Sequence, residues 1–417
     1  MVTTRKYFPI KTETACQLKW TWSSLYLYEG TTNSCHRVEK TKLTTDSFDS
    51  FHNTDKKLAD RKTMLAGDWP TGGCDYCEKI ESVGGSSDRN LHLAIPDLSP
   101  PELDSDVTAI SVTPRILEVY FDNTCNLSCV YCHNGFSSRI HYENAKFGRF
   151  DQDGVVIDNT HTRHPKQEQL TDQLWTWLDA NYATIRRFHL LGGEPFYQRQ
   201  FDTCLDFLYN HTNKDLEFNI VSNLMVDNDK LKSYVERIKE LVAQRKIKRF
   251  EITASIDCWG AEQEYVRQGL NLTQWQENFE YLVSERWITL NINQVVSGLT
   301  IMNMPELIDY VNQQRTNRDI GHHLITANEP SYMNPDIFGN YFDDIFHQLL
   351  AIMPTETWQQ QQAHKYMSGV ALQISSAGPN PTELKKLRTY LNELDRRRNT
   401  NWRTTFPWLT GVLDNVV

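Results

Sequence analysis

Three thiols stand close together in Cys125-Asn-Leu-Ser-Cys129-Val-Tyr-Cys132, directly after the apolar run Ile116-Leu-Glu-Val-Tyr-Phe121. Iron–sulfur clusters are held by cysteine thiolates, normally four per cubane. A set of three leaves one iron open to an outside ligand, which separates a chemical catalyst from an electron wire. Spacing alone admits other chemistry. Close cysteines in a secreted chain suggest disulfides, and His133 could complete a zinc site. A second set, Cys16, Cys35, Cys74 and Cys77, ends in a CxxC clip, although its other spacings are loose. Four thiols suit a fully ligated cubane or a tetrahedral zinc, and spacing leaves zinc at least as good.

Further along the chain comes Leu190-Leu-Gly192-Gly193-Glu194-Pro195. Glycines let a backbone approach a ligand closely. The plain reading is a strand-to-helix turn with Glu194 beside a helix N-terminus, where the dipole favours it. The two motifs together, CxxxCx-aromatic-C with Tyr131 at the aromatic position and then GGEP, resemble the radical S-adenosylmethionine (radical SAM) superfamily. That resemblance implies a [4Fe-4S] cluster on Cys125, Cys129 and Cys132. Its open iron would chelate S-adenosylmethionine, and reductive cleavage would yield a 5′-deoxyadenosyl radical. Here the cofactor does the hard chemistry and the protein supplies position and exclusion of water.

The resemblance also assigns roles along the chain. Gly192, Gly193, Glu194 and Pro195 would bind the methionyl ammonium, Ser255 and Asp257 the ribose hydroxyls, and Arg267 the carboxylate. Asn223 stands where relatives carry a Thr-Asn pair, and Val295 lies in the segment that packs the adenine. Reduction would come from a donor such as flavodoxin or ferredoxin. Relatives with SPASM or twitch domains carry auxiliary clusters, so Cys16, Cys35, Cys74 and Cys77 are expected to hold a second [4Fe-4S] cluster, with zinc as the alternative. Those domains usually follow the barrel, whereas these four thiols precede it. Cys258, directly after Asp257, reads as a buried thiol or, alternatively, as a hydrogen-atom donor to a substrate radical.

The elements that must position these residues follow a simple pattern. Apolar runs near 116–121, 186–191, 216–222, 249–257, 287–297 and 319–327 read as strands. Amphipathic stretches near 167–183, 198–211, 227–245, 261–284 and 303–316 read as helices between them. Alternation of this kind implies a parallel sheet, and the resemblance implies a partial (β/α)6 TIM-like barrel over residues 115–328. In such barrels the chemistry sits after the C-terminal ends of the strands. Residues 1–95 read as an irregular, cysteine-containing metal-binding domain and 96–114 as a Pro-rich linker. Residues 329–417 read as a helical extension with helices near 337–353, 381–398 and 403–414. The crossover at 133–166, with four histidines and little periodicity, reads as a functional loop.

Composition narrows the function classes. The chain has 417 residues, 39% hydrophobic and 23% charged, as in ordinary globular proteins. A net charge of -10 disfavours nucleic acid and suits a cationic peptide or a small molecule. No run of some eighteen apolar residues predicts a membrane span. Nine cysteines without an export signal suggest metal ligation in the cytoplasm. Cys204 reads as core. His322 and His323 in one strand should face opposite ways. The expected activity is radical modification of a peptide or protein side chain. The rivals are a small polar metabolite as substrate, or a non-catalytic metal-stapled binding protein.

Overall fold

The computed structural model describes residues 8–85, 87–93 and 98–415. The expected junction at residues 95–96 lies outside them. In chain order the strands are β1 (Trp22–Tyr26), β2 (Thr31–Asn33), β3 (Thr41–Lys42), β4 (Ile116–Tyr120) and β5 (Ser128–Cys129). They continue with β6 (Phe150–Gln152), β7 (Val155–Ile157), β8 (Arg187–Leu191), β9 (Glu217–Ser222) and β10 (Arg249–Ser255). Last come β11 (Arg267–Gln268), β12 (Thr289–Val296) and β13 (Gly321–Thr326).

The architecture is mixed α/β around a large sheet. Nine strands run in the order β13-β12-β10-β9-β8-β4-β1-β2-β3. From β13 to β1 every pairing is parallel. The six strands expected between 116 and 327 are all present, and their crossovers carry helices at Gln167–Asn181, Arg199–Asn210, Asn228–Ala243, Leu272–Ser284 and Met304–Arg315. The order is linear, with β13 and β3 at its edges.

Local chemistry explains the helix starts. Asp227 accepts hydrogen bonds from the Asp229 and Lys230 N–H groups, and Asn271 accepts from Gln274, each satisfying an orphan donor of a first turn. Packing does the rest. Leu117, Val119, Phe188, Leu190, Phe218, Ile220, Phe250 and Ile252 alternate along the strands and join one buried core with Leu174, Phe201, Val235 and Phe279 of the helices. The intervening strand residues therefore occupy the opposite face.

Three expectations need correction. Residues 1–95 are not wholly irregular: β1 lies parallel beside β4, and β2 and β3 extend the sheet in antiparallel fashion. Trp22-Ser-Ser-Leu-Tyr26 is short and rich in Ser, so its strand character comes from pairing rather than hydropathy. The stretch 261–284 is not one helix. It is cut into Ala261–Val266 and Leu272–Ser284 by β11, which pairs with β5. A nineteen-residue helix, Trp358–Ser376, was not expected in the C-terminal region. Its signature was present, since Thr357 and Gln360 form a capping box. The crossover at 133–166 holds a helix, Ser138–Phe147, and the β6–β7 hairpin. Among the described residues, no helix is long and apolar enough to cross a membrane.

Candidate functional site

The three-thiol segment follows β4, at the C-terminal end of a central parallel strand. It is fixed from several sides. Ser138 Oγ accepts from the Cys125 N–H at 3.2 Å. Cys129 lies on β5, paired with Arg267 on β11, and the Val130 N–H donates to Val266 O at 2.8 Å. The Asn223 amide reaches Asn126 Oδ1 at 3.0 Å and the Cys125 sulfur at 3.9 Å.

The GGEP turn is pressed against this segment. Gly193 has φ +52°, and a Cβ there would stand 2.1 Å from Thr124 O, so a side chain is sterically refused. The Glu194 N–H donates to the same carbonyl at 2.8 Å. The Glu194 carboxylate is buried, accepting from the Ser222 hydroxyl at 2.8 Å and from the Asn223 N–H at 2.7 Å. It also caps the short turn that Pro195 begins, through the Phe196 N–H. Burial lifts its carboxyl to about 7. Glu194 thus fastens the ends of two strands beside the thiols.

Burial raises all three thiols, Cys132 to about 12. Binding metal would therefore release their protons. Among the described residues no three His, Cys, Asp or Glu side chains converge closely enough to hold a single metal ion.

Asp257 and Arg267 meet each other. Arg267 Nε and Nη2 each donate to the Asp257 carboxylate at 2.8 Å, and both residues are buried. The Tyr131 hydroxyl donates to Asp257 Oδ2 at 2.5 Å, and the Val295 N–H to Oδ1 at 3.0 Å. The resemblance gave these two residues separate ligand contacts, Asp257 to the ribose and Arg267 to the carboxylate. In the structure both Asp257 oxygens are occupied by Arg267, Tyr131 and Val295, because a buried carboxylate needs that many donors. Ser255 is buried on the same face of β10, two residues before Asp257.

Cys258 is buried rather than at an open mouth. Its N–H and its thiol both approach Gln263 Oε1, at 3.0 and 3.6 Å. Cys204 is core. His322 faces inward and bonds Gln294 Oε1 at 2.7 Å, while His323 faces out.

Cys16, Cys35, Cys74 and Cys77 line one small cavity, partly open to solvent. The buried Lys19 ammonium sits beside them, paired with Asp60 at 2.6 Å. Burial pushes the Cys16 thiol up to about 12. All nine cysteines are free thiols. Gly73 plays the part here that Gly193 plays at the other set. Its φ is +115°, and a Cβ would stand 2.0 Å from Arg37 O.

Sequence reasoning missed Ser138, Asn126 and Gln263, which hold the thiol-bearing segments in place. Asn126 lies inside the three-thiol motif without being one of its thiols, Ser138 and Gln263 lie in no motif, and only three-dimensional neighbours give them these roles.

Residues 115–249 match the family model described as a 4Fe-4S single cluster domain. This segment is similar to a 4Fe-4S domain. The match covers both motifs, and it bears out the radical SAM resemblance on its iron–sulfur side. No curated protein sequence matches the chain. Solved structures of Streptococcus suis SuiB, one bound to S-adenosylmethionine and one to the precursor peptide SuiA, match at 15% identity. They cover 85–90% of this chain and 68–69% of theirs, with TM-scores of 0.36–0.37. Scores at this level do not establish a shared fold.

Proposed function

We propose that the protein is a radical SAM enzyme. It would cleave S-adenosylmethionine reductively and modify a substrate by hydrogen-atom abstraction, with a peptide or protein side chain as first choice. The observation that carries the reading is the three-thiol loop at the C-terminal end of a parallel strand, locked against a Gly-Gly-Glu-Pro turn inside a matched 4Fe-4S segment. Cys125, Cys129 and Cys132 are the residues that would hold a [4Fe-4S] cluster, which when bound supplies the electron that splits the cofactor's C–S bond.

The chain's own residues do the positioning. Asn223 and Ser138 fix the Cys125 segment, and β11 fixes Cys129. Glu194 holds the turn where the cofactor's ammonium would sit. Arg267, Asp257 and Tyr131 form a charged cluster whose arginine would exchange a partner to take the cofactor's carboxylate. Burial of this cluster keeps water from a reactive radical. The partial barrel, open on one side, belongs to this reading. The four-thiol cavity would hold a second cluster. Four protein ligands fill it and leave no open iron, which suits electron transfer.

The test is anaerobic reconstitution with iron and sulfide quantitation, followed by an assay for 5′-deoxyadenosine after reduction. About eight irons per chain, from two cubanes, and release of 5′-deoxyadenosine are expected. Zinc in the four-thiol cavity would remove the second cluster and leave the radical chemistry standing. Absence of 5′-deoxyadenosine from a fully loaded protein would sink the proposal.

A further inference from the structure

Five neighbouring strands put a polar side chain at one level of the sheet face opposite the helices. The register pairs Ser24 with Glu118, Glu118 with His189, His189 with Asn219, and Asn219 with Glu251. The residues on either side, Leu117, Val119, Phe188, Leu190, Phe218 and Ile220, belong to the core on the helix side. Alternation therefore sets the polar row on the other face. None of these five residues belongs to the thiol or GGEP motifs.

Two buried hydrogen-bonding atoms in the row lack a protein partner. Asn219 Oδ1 and His189 Nε2 are buried and unsatisfied, with Asn219 only 7% exposed. Both partners of Glu118, the Ser24 hydroxyl at 2.5 Å and His36 Nε2 at 3.0 Å, converge on Oε2. Native folds leave few such atoms. Two on adjacent strands, about 4.8 Å apart from strand to strand and next to the Glu118 carboxylate, mark a place suited to an occupant.

The chemistry of that occupant follows from what the row offers. Burial keeps the His189 ring neutral, its titration pushed down to about 4, so Nε2 is free to accept. Burial would raise Glu118, but the His36 ring beside it holds the carboxyl below its ordinary range, so it carries charge. Arg187 is already paired with Glu217 at 2.9 Å. Glu118 is already paired with the His36 ring, and the row adds two uncharged acceptors and, among the described residues, no unpaired basic side chain. Trp22 stacks on His189 with centroids 5.5 Å apart and supplies an aromatic wall, which also suits a cation.

The geometry points to a substrate subsite for a cationic nitrogen group rich in N–H donors, an arginine or lysine side chain, held by Glu118, Asn219 and His189. The inference rests on the peptide-modifying reading above and names the residue class that reading would act on or anchor. Glu118 lies two residues before the end of β4, so the subsite sits about 7 Å below the rim that carries Cys125. A side chain anchored there would have its backbone at the level of the thiols. The chain's net charge of -10 favours such a partner at long range.

The experiment uses N-acetyl amides of arginine, lysine, citrulline and glutamate as probes on the reconstituted full chain, read by saturation-transfer NMR. Arginine and lysine probes should bind. Citrulline, the same shape as arginine without the charge, should bind at least about tenfold more weakly, as loss of a charge-assisted hydrogen bond predicts. Glu118→Gln should weaken the arginine probe by about ten- to a hundredfold, and Asn219→Ala severalfold, at unchanged iron content and melting temperature. Equal binding of arginine and citrulline would overturn the proposal. So would arginine binding that survives in a folded Glu118→Gln variant, or no binding of either cationic probe. If Glu118→Gln fails to fold, the arginine–citrulline comparison on the parent decides. Release of 5′-deoxyadenosine, measured separately, reports on the radical reading, so the two failures remain distinct.

Discussion

The two cysteine sets solve one problem in opposite ways. Cys125, Cys129 and Cys132 come from a single eight-residue segment. Cys16, Cys35, Cys74 and Cys77 are drawn from scattered positions and meet only around a folded cavity. The first set depends on what presses against it: β11 behind Cys129, the Gly193 turn on Thr124, Asn223 beside Cys125. The second depends on the chain between its members arriving at the same place, with Lys19 as the buried counter-charge. A local set can leave a metal edge open because the segment is stiff without a fourth ligand. A scattered set uses all four thiols as the staple itself.

The sharpest way to break this comparison is to delete each set in turn. Replacing Cys125, Cys129 and Cys132 by Ala should abolish 5′-deoxyadenosine formation and remove about four of about eight irons. Replacing Cys16, Cys35, Cys74 and Cys77 by Ser should remove the other four. It should also lower the melting temperature of the N-terminal region, because that set holds its own surroundings. Iron analysis and calorimetry on both variants read the difference. If either deletion removes all the iron, the two sets are not independent.

Arg267 tests how the local set is held. It joins β11 to β5 and, among the described residues, is the basic partner of the buried Asp257. Arg267→Ala leaves that carboxylate without its cation, which should cost about 3–5 kcal/mol. Denaturant unfolding should show it, and the four-thiol cavity should keep its metal. A loss under about 1 kcal/mol would mean that Tyr131 and the Val295 N–H alone satisfy Asp257.

How much of this was legible in the sequence follows the same division. The six strands from 116 to 326 and the five crossover helices could be read because buried parallel strands and amphipathic helices carry strong periodic signals. The local thiols and the GGEP turn could be read because motif and segment coincide. β1 could not be read, since Trp22-Ser-Ser-Leu-Tyr26 becomes a strand by pairing with β4. Nor could the Asp257–Arg267 pair, since nine intervening residues hide a buried contact. The polar row from Ser24 to Glu251 exists only as sheet register, with its members spread over more than two hundred residues.

Glycine substitutions compare the two sets at equal footing. Gly193 and Gly73 both hold a positive φ and both lie against a backbone carbonyl beside a thiol-bearing segment. Ala at either position must strain the backbone and displace that carbonyl, at a cost of about 1–3 kcal/mol. Gly193→Ala should lower occupancy of the three-thiol site alone, and Gly73→Ala that of the four-thiol site alone. Iron content with each set deleted in the background reads which site is lost. Equal loss at both sites from one glycine would make the sets a single cooperative unit.

The smallest effect concerns the contact that ties the two regions together. Glu29, in the turn between β1 and β2, bonds His161 of the long crossover at 2.8 Å and Lys40 at 2.8 Å. Burial would raise its carboxyl, but the His161 and Lys40 hydrogen bonds outweigh burial and hold it at about 2, well under its ordinary 4.5. A carboxyl depressed in the folded state contributes stability above its unfolded value, and that contribution is lost as pH falls through the folded one. Glu29→Gln should therefore cost about 1 kcal/mol at pH 7, and the gap to the parent should close between about 4.5 and 2. Parallel unfolding curves at pH 7, 5 and 3 measure it. A gap that stays constant over that range would show that Glu29 acts by packing rather than by charge. The crossover would then be joined to the N-terminal strands through neutral contacts such as the hydrogen bond from the His164 N–H to Tyr28 O at 2.7 Å.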